Sequence, residues 1–168
     1  MKRMNIKAYG KLIVSIALCQ GAGVIGALFN TPENMLWYDS LVQSSVTPPG
    51  WAFGVVWPLL YLLMGIAFFI VWHNHTSIFD DIEKVHMHTQ AIVLFLVQLA
   101  INVFWSFAFF ALHLPSASLL AIIALWCLIA VTTMRFARMK KSAGLLMVPY
   151  LAWVSFAFYL NFMIWALN

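Results

Sequence analysis

Long apolar runs, separated by short polar or turn-rich segments, dominate the pattern of this chain. Each of five runs is close to the roughly 20 residues that an α-helix needs to cross the hydrocarbon core of a bilayer. We predict spanning helices at about residues 11–29, 51–72, 89–112, 116–136 and 143–167. The pattern therefore predicts an all-α membrane protein, a five-transmembrane-helix bundle that forms a single domain over residues 1–168.

Turn-forming residues mark the ends of these runs. Asn30-Thr31-Pro32 ends the first run, and Thr47-Pro48-Pro49-Gly50 directly precedes the second. Paired prolines disfavour a helical backbone there, because each fixes φ and lacks the amide N–H. The turn His113-Leu114-Pro115 is very short, so the third and fourth helices are expected to be antiparallel neighbours. The first run follows basic residues as in a signal peptide, but it continues to Phe29, so we expect a retained helix.

Composition favours a bilayer over water as the surrounding medium. Of the 168 residues, 64% are hydrophobic and only 8% are charged, whereas a soluble domain carries about 25% charged residues. A soluble protein of this size has too little interior to bury so much apolar surface. No charged residue is predicted in the middle of a span. This argues against a proton pump or an ion-coupled transporter, which usually need an intramembrane charge.

The placement of charge tests the helix count independently. With five spans, the N-terminus and the second and fourth connections lie on one side, and they hold all nine Lys and Arg residues. The other side carries only Glu33 and Asp39. The positive-inside rule predicts a bacterial cytoplasmic membrane, with the N-terminus in the cytoplasm and the C-terminus outside. Because the basic residues lie at segment ends, the net charge of +4 does not indicate a nucleic-acid partner.

Tryptophan is unusually frequent, with eight residues in the chain. Half of them lie near predicted helix ends, where an interfacial belt is the ordinary interpretation. These four are Trp37, Trp51, Trp72 and Trp165. The deeper indoles need a partner for the N–H group, so we expect them to face the bundle interior or a ligand. The deeper four are Trp57, Trp105, Trp126 and Trp153.

Polar side chains inside the spans are few, and on the third helix two of them share one face with two aromatic residues. The positions concerned are Gln98, Asn102, Trp105 and Phe109, with the spacing i, i+4, i+7 and i+11. A polar stripe on a helix surrounded by lipid must turn inward. Two interpretations stay open: hydrogen bonds between helices, or the wall of a cavity. Three glycines between residues 21 and 26 indicate close helix packing in the first span.

Sites for metal ions or covalent catalysis are not indicated. The histidines in or beside the second connection lack a completing set of ligands, so no metal site is expected. These are His73, His75, His86 and His88. Cys19 and Cys127 lie in apolar runs and are expected to be buried free thiols. No nucleophile elbow, phosphate-binding loop, dinucleotide fingerprint or zincin motif is present in the sequence.

The second helix and its approach carry the most specific motif of the chain. The sequence reads Trp37-Tyr38, then Thr47-Pro48-Pro49-Gly50-Trp51-Ala52-Phe53-Gly54-Val55-Val56-Trp57, then Tyr61, Met64 and Gly65. Later helices add Gln98, Asn102, Trp105, Pro149-Tyr150-Leu151-Ala152-Trp153, Phe156-Ala157 and Leu160-Asn161. In combination, these motifs resemble the tryptophan-rich sensory protein / translocator protein family, TspO/MBR, over nearly the whole chain.

The resemblance implies a five-helix bundle, usually a homodimer, with a cavity covered by the loop after the first helix. Members of this family bind flat apolar ligands there, including tetrapyrroles such as protoporphyrin IX or haem, and no cofactor is required. The partners implied are the lipid bilayer and a tetrapyrrole or other apolar small molecule. The ligand-binding residues expected are Trp37, Trp51, Phe53, Trp57, Tyr61, Asn102, Trp105, Trp153, Ala157 and Asn161.

Three functions follow as alternatives. The first is tetrapyrrole binding for the sensing, transport or regulation of porphyrins. The second is an enzyme that degrades protoporphyrin IX in light, a role that motif position in the family assigns to Trp51 and Trp153. The third is a membrane scaffold. The sterol motif of animal members is incomplete here, because Phe162 replaces its Tyr and no basic residue follows, so we do not expect high-affinity sterol binding.

Overall fold

The computed structural model describes residues 6–73 and 82–168, and the regular elements within these ranges are helices. They are α1 (Ile6–Ala27), α2 (Pro32–Ser40), α3 (Gly50–His73), α4 (Ile82–Ser106), α5 (Pro115–Met139) and α6 (Lys141–Leu167), and α4 continues into a π-helical turn (Phe107–Ala111). Within the described residues, five segments are long and apolar enough to cross a membrane: α1, α3, α4 with its π-helical turn, α5 and α6. The prediction of an all-α, five-span architecture is confirmed.

Two spans begin well before the predicted limits, on the side of the basic residues. α1 begins at Ile6 rather than near residue 11, and α4 begins at Ile82 rather than near residue 89. Lys7, Lys11 and Lys84 therefore lie in helices. The sequence pattern had placed Lys7 and Lys84 in connections. A helix can continue past the hydrocarbon region because long cationic side chains reach the headgroup zone. The change lengthens the spans without moving any basic residue to the other side.

The connection between the first two spans contains a helix, α2, that the sequence pattern does not predict. α2 begins at Pro32, and the hydroxyl of the preceding Thr31 accepts a hydrogen bond from the backbone N–H of Asn34. Proline fits the first helical position because its missing N–H has no intrahelical partner there. The carboxylate of Glu33 in the first turn favours the positive end of the helix dipole. Nine residues are too few for a stable isolated helix, so α2 depends on packing against the bundle.

The spans alternate in direction, so the described Lys and Arg residues lie at one end of the bundle. α1 packs on α3, α3 on α6, and α5 on both α4 and α6. The Lys11 ammonium, in α1, lies 5.2 Å from the ring centre of Trp72 near the end of α3. We call this end, where the α5–α6 connection with Arg138 and Lys140 also lies, the basic end. The opposite end carries α2, and we call it the lid end.

Glycines mark the closest helix contacts. A Cβ atom on Gly65 of α3 would lie 2.8 Å from the Cα atom of Ile16 in α1. A Cβ atom on Gly23 of α1 would lie 2.5 Å from the ring of Tyr61, and one on Gly26 would lie 3.2 Å from the hydroxyl of Ser106. The predicted close packing of the first span is therefore confirmed at these two glycines. No side chain fits there without moving a neighbour.

Two residues that the sequence placed inside the bundle lie on its outer surface. Cys127 is exposed, whereas Cys19 is buried as predicted. Trp126 is 40% exposed, and its indole N–H donates to the hydroxyl of Ser155 at 2.8 Å. A hydroxyl on the neighbouring helix α6 satisfies the indole N–H of Trp126 without burial, whereas the buried N–H of Trp153 has no hydrogen-bond partner in the described structure, contrary to the expectation for deep indoles.

Candidate functional site

A cavity of about 510 Å³ occupies the lid-end half of the bundle. Small-molecule sites commonly have about 300–1,000 Å³, so the space suits a ligand of substantial size. Its walls come from α1, α3, the end of α4 with its π-helical turn, and α6, while α2 covers it with Met35 and Tyr38. The wall residues are Gln20, Gly23, Val24, Gly26, Ala27, Asn30, Gly50, Phe53, Gly54, Trp57, Pro58, Tyr61, Trp105, Ser106, Phe109, Phe110, Ala157, Leu160, Asn161 and Ile164.

Helix α3 supplies the largest share of the wall through one helical stripe. Gly50, Phe53, Gly54, Trp57 and Tyr61 follow the spacing of a single helix face, and all of them line the cavity. A Cβ atom built on Gly54 meets no atom within 4 Å. The cavity therefore reaches the α3 backbone at this glycine. The rings of Phe53 and Trp57, on either side of it, form the wall.

Aromatic rings form a continuous row along one side of the cavity. The centroids of Trp57 and Trp105 are 6.3 Å apart with planes inclined at 31°. Trp57 stacks on Tyr61 at 5.6 Å, and Trp105 stacks on Phe109 at 5.9 Å. Near-parallel offset rings of this kind present a broad, polarisable surface, which favours a flat apolar molecule over a branched one.

Hydrogen bonds behind the wall hold two of these rings in position. The indole N–H of Trp105 donates to Oδ1 of Asn161 at 2.9 Å. The hydroxyl of Tyr61 donates to Oδ1 of Asn102, and the amide of Asn102 donates to the hydroxyl of Tyr150 at 3.1 Å. In a low-dielectric interior, such paired polar groups orient side chains because an unpaired group is costly. Within the predicted stripe, Asn102 and Trp105 thus make interhelical hydrogen bonds and Trp105 and Phe109 line the cavity, whereas the buried Gln98 amide has no hydrogen-bond partner in the described structure.

The turn after α4 fixes the position of α2. His113 has a positive φ of 53°, a conformation that costs a non-glycine residue about 1–2 kcal/mol. Two contacts to α2 compensate for this strain. The His113 ring stacks on Trp37 with a centroid separation of 4.1 Å, and its Nε2 lies 3.0 Å from Oδ1 of Asn34. Because a side-chain amide oxygen only accepts, Nε2 is the donor.

A second connection ties the segment after α2 to the end of α6. The backbone N–H of Val42 donates to Oδ1 of Asn168 at 2.9 Å, and the Asn168 amide donates to the carbonyl of Val42 at 3.2 Å. Burial and the neighbouring Asp39 carboxylate raise the pKa of Tyr38, which faces the cavity from α2. The cover is therefore attached at both of its ends, and it carries negative charge on its outer side.

Six of the ten ligand residues expected from the sequence line the cavity. They are Phe53, Trp57, Tyr61, Trp105, Ala157 and Asn161. Asn102 lies one layer behind the wall, where it holds the Tyr61 hydroxyl. The structure thus brings together residues from three spans that the sequence separates by about a hundred positions.

The remaining three expected ligand residues lie outside the cavity wall. Trp51 follows Gly50 by one residue, a rotation of about 100° on a helix, and its side chain is 72% exposed. Trp153 packs edge-on against Phe53 at 5.8 Å, behind the wall. Trp37 belongs to a separate shallow depression near the end of α6. None of the three lines the described cavity, so a direct contact between them and a ligand stays a prediction.

Several cavity residues were not among those expected. Gln20 and Ser106 carried a signal, because each is a polar residue inside an apolar run. Tyr38 belongs to the Trp37-Tyr38 part of the family motif, whereas Met35 carried no signal, since it lies in a connection whose fold depends on contacts with the π-helical turn. A sequence pattern cannot place a short covering helix over a particular cavity.

The histidines near the second connection do not converge on a site in the described structure. Nε2 of His88 lies 3.1 Å from the carbonyl oxygen of Val71, a contact between α4 and α3. His75 lies outside the described residues. Within residues 6–73 and 82–168, no group of three or more His, Cys, Asp and Glu side chains is arranged to hold a metal ion.

These features define a polytopic helical membrane protein with an aromatic-walled internal cavity. The model of the TspO/MBR family matches residues 15–166. The chain is 42% identical to "Tryptophan-rich protein TspO" of Chlorobaculum tepidum over 158 residues, which cover 94% of this chain and 95% of that relative. It is 33% identical to "Tryptophan-rich sensory protein" of Cereibacter sphaeroides, covering 91% and 88% of the two chains. It is 31% identical to human "Translocator protein", covering 86% and 82%. The chain belongs to the TspO/MBR family and is an integral membrane protein.

Proposed function

We propose that this protein binds tetrapyrroles such as protoporphyrin IX, and related flat apolar molecules, for the sensing, transport or regulation of porphyrins. The observation that carries the proposal is the row formed by Trp57, Trp105 and Phe109 along a cavity of about 510 Å³. A planar macrocycle has two wide apolar faces, and burying one of them against aromatic rings is favourable in both area and geometry. The names of its relatives, which mention sensing and translocation, agree with such a role.

The side chains of the cavity fit a metal-free tetrapyrrole better than haem. Haem iron in proteins is usually held by a His, Cys, Met or Tyr side chain. Among the described residues, the wall contains neither His nor Cys, and its only Met is Met35 on the cover. Tyr38 and Tyr61 are the remaining candidates, and the Tyr61 hydroxyl is engaged with Asn102.

The proposal is tested by filling the cavity at a position where the fold tolerates it. Gly54→Leu adds a side chain at a position that lines the cavity and where a Cβ atom meets no neighbour, so the leucine extends into cavity space. Gly21→Leu is the matched control, because Gly21 also faces open space in a span but does not line the cavity. Quenching of tryptophan fluorescence by protoporphyrin IX measures the affinity. We expect at least a tenfold loss for Gly54→Leu and wild-type affinity for Gly21→Leu; equal affinities in both variants would reject this site.

A second candidate function, photo-oxidative degradation of protoporphyrin IX, is favoured by one observation. Two tryptophans, Trp57 and Trp105, stand side by side at the wall, where a bound ring would contact them. Under this function, with dissolved dioxygen as the oxidant, illumination of purified protein in aerated buffer consumes more than one porphyrin per chain. Trp57→Phe with Trp105→Phe then slows the loss of the porphyrin absorption band more than Trp51→Phe does. If the porphyrin absorption band decayed no faster with the wild-type protein than in free porphyrin, the enzymatic function would be rejected.

The orientation and assembly of the protein belong to the same proposal. Because the basic end carries the described Lys and Arg side chains, the positive-inside rule favours a cytoplasmic location of this end in a bacterial membrane. In a cysteine-free background, Ser142→Cys is then protected from an external impermeant label and Ser45→Cys is reactive. The homodimer that the resemblance implies stays a prediction, to be tested by mass measurement in detergent.

A further inference from the structure

Three of the polar side chains that line the cavity already have hydrogen-bond partners within the protein. The Gln20 amide donates to the carbonyl of Pro58 at 2.9 Å. The Tyr61 hydroxyl donates to Oδ1 of Asn102. The amide of Asn161 both accepts and donates a hydrogen bond. These bonds hold the wall in position, and they occupy polar groups that a ligand could otherwise use.

Three other polar side chains of the lining make no hydrogen bond in the part of the chain that the structure describes, and all three are donors. They are the amide of Asn30 just after α1, the hydroxyl of Tyr38 on α2 and the hydroxyl of Ser106 at the end of α4. Burial and the neighbouring Asp39 carboxylate raise the pKa of Tyr38, so its hydroxyl keeps its proton at neutral pH. Each of these groups can therefore donate to an anion.

The three free donors lie together at the lid end of the cavity. A Cβ atom on Gly26 would lie 3.2 Å from the Ser106 hydroxyl, so Ser106 lies against α1 at this residue. Asn30 follows Gly26 by four residues, which is about one helical turn. The Tyr38 ring packs at 5.9 Å from Phe110, which follows Ser106 by a similar distance. α1, α2 and the end of α4 thus each supply one donor to the same region.

The anionic edge of a tetrapyrrole requires such donors. Protoporphyrin IX carries two propionates on one edge of its ring, and an ionised carboxylate without partners is strongly disfavoured in an apolar interior. N–H and O–H groups stabilise it through charge-assisted hydrogen bonds. Because Asn30 is exposed, water also reaches this end of the cavity. The carboxylates of Glu33 and Asp39 are solvent-exposed on α2, so water screens their charge.

We propose that Asn30, Tyr38 and Ser106 bind the propionates of a tetrapyrrole and orient its dicarboxylate edge toward α2. The inference rests on the proposed function and adds to it the orientation of the ligand and the residues that recognise its anionic edge. In this orientation the face of the ring lies along Trp57 and Trp105, whose centroids are 6.3 Å apart. The apolar edge then points into the bundle, where the other polar groups of the wall are already paired.

The test compares protoporphyrin IX with its dimethyl ester at pH 8, in nanodiscs of uncharged lipid. The ester keeps the ring and removes both charges, so the acid-to-ester affinity ratio isolates the contribution of the carboxylates. Titrations are run with wild-type protein, with Asn30→Leu, Tyr38→Phe and Ser106→Ala, and with the triple variant. Gln20→Leu is the matched control, because it also removes an amide from the lining but lies ten residues before Asn30 in α1. The Gly54→Leu protein supplies the non-specific signal for each ligand.

We expect the ratio to fall about threefold or more in each single variant and about thirtyfold in the triple variant, through weaker binding of the acid. The reason is that each substitution removes one donor to a charged group. Gln20→Leu should keep the ratio within about twofold of the wild type. A wild-type ratio in the triple variant, or a larger fall in Gln20→Leu, overturns the assigned orientation but leaves cavity binding intact. Binding of both ligands that Gly54→Leu does not weaken overturns the proposed function itself.

A variant that gains affinity separates recognition from damage to the fold. Asn30→Lys places a cation among the free donors at an exposed position, and Ser45→Lys places the same charge at the lid end on a residue that does not line the cavity. We expect the acid-to-ester ratio to rise about fivefold in Asn30→Lys and to stay unchanged in Ser45→Lys, because a cation near a carboxylate strengthens its binding. An equal rise in both variants would reflect general surface charge and overturn the assigned site.

Discussion

Replacing Tyr61 by Phe isolates the contribution of the buried hydrogen-bond chain that supports the cavity wall. The substitution removes one hydroxyl and keeps the ring that stacks on Trp57 at 5.6 Å. Asn102, which accepts from that hydroxyl, is only 1% exposed and keeps its second bond to Tyr150. The variant therefore changes one donor in the interior while the shape of the wall is retained.

The expected cost follows from the acceptor left behind. A buried polar atom without its partner costs about 1–3 kcal/mol. Interhelical hydrogen bonds in membrane proteins average about 0.6 kcal/mol and reach about 1.7 kcal/mol. Because Oδ1 of Asn102 is buried and loses its donor, we expect the upper part of this range. Tyr61→Phe should lower the free energy of unfolding by about 1–2 kcal/mol, a factor of roughly 5–30 in the folded-to-unfolded ratio.

The assay is unfolding by sodium dodecyl sulfate in mixed micelles, followed by circular dichroism. Tyr159→Phe is the matched control, because Tyr159 is 42% exposed and its hydroxyl lies 3.5 Å from Ser44. We expect the control to stay within about 0.5 kcal/mol of the wild type. If both variants shifted the transition equally, the buried chain would have no special role and the reasoning would be refuted.

Two further substitutions test the packing and the cover. Gly144→Ala places a Cβ atom 2.5 Å from that of Ala137 and should destabilise the protein by about 1–3 kcal/mol. Gly10→Ala faces open space and should be neutral or slightly stabilising; equal unfolding midpoints would contradict the described α5–α6 contact. Asn168→Ala removes both bonds to Val42, so amide exchange at residues 41–47 and release of bound porphyrin should both accelerate. Unchanged release would show that this connection does not hold the cover.

The span architecture was predictable because a bilayer imposes one simple rule. A helix must satisfy its own backbone groups and present about 20 apolar residues, and both requirements are visible in hydropathy. Helix ends were less accurate, as at Ile6 and Ile82, because polar residues can extend a helix into the headgroup region. α2 was missed because a short helix with little apolar periodicity owes its stability to contacts such as the His113–Trp37 stack.

The cavity wall was predictable wherever helical periodicity determines which face a residue occupies. Trp105 follows from the stripe on α4 and Trp57 from the need of a deep indole for a partner, whereas Tyr61 was expected from the family motif. Trp51 was expected from the family motif alone. One residue after Gly50, it lies off the face of α3 that lines the cavity. Trp126 shows the remaining limit, because its polar group finds a partner on the outer surface that only the α5–α6 packing creates.

The most direct test of the central claim, that a flat ligand occupies this cavity, is the location of the ligand itself. Alanine-methyl NMR of the protein in micelles, with paramagnetic copper protoporphyrin dimethyl ester added, reports which methyl groups lie near the ring. Ala157 lines the cavity, whereas Ala124 is exposed on α5 and lies outside the wall. The account predicts that the Ala157 signal broadens beyond detection while the Ala124 signal persists. An intact Ala157 signal at saturating ligand, or equal broadening of both, would contradict it.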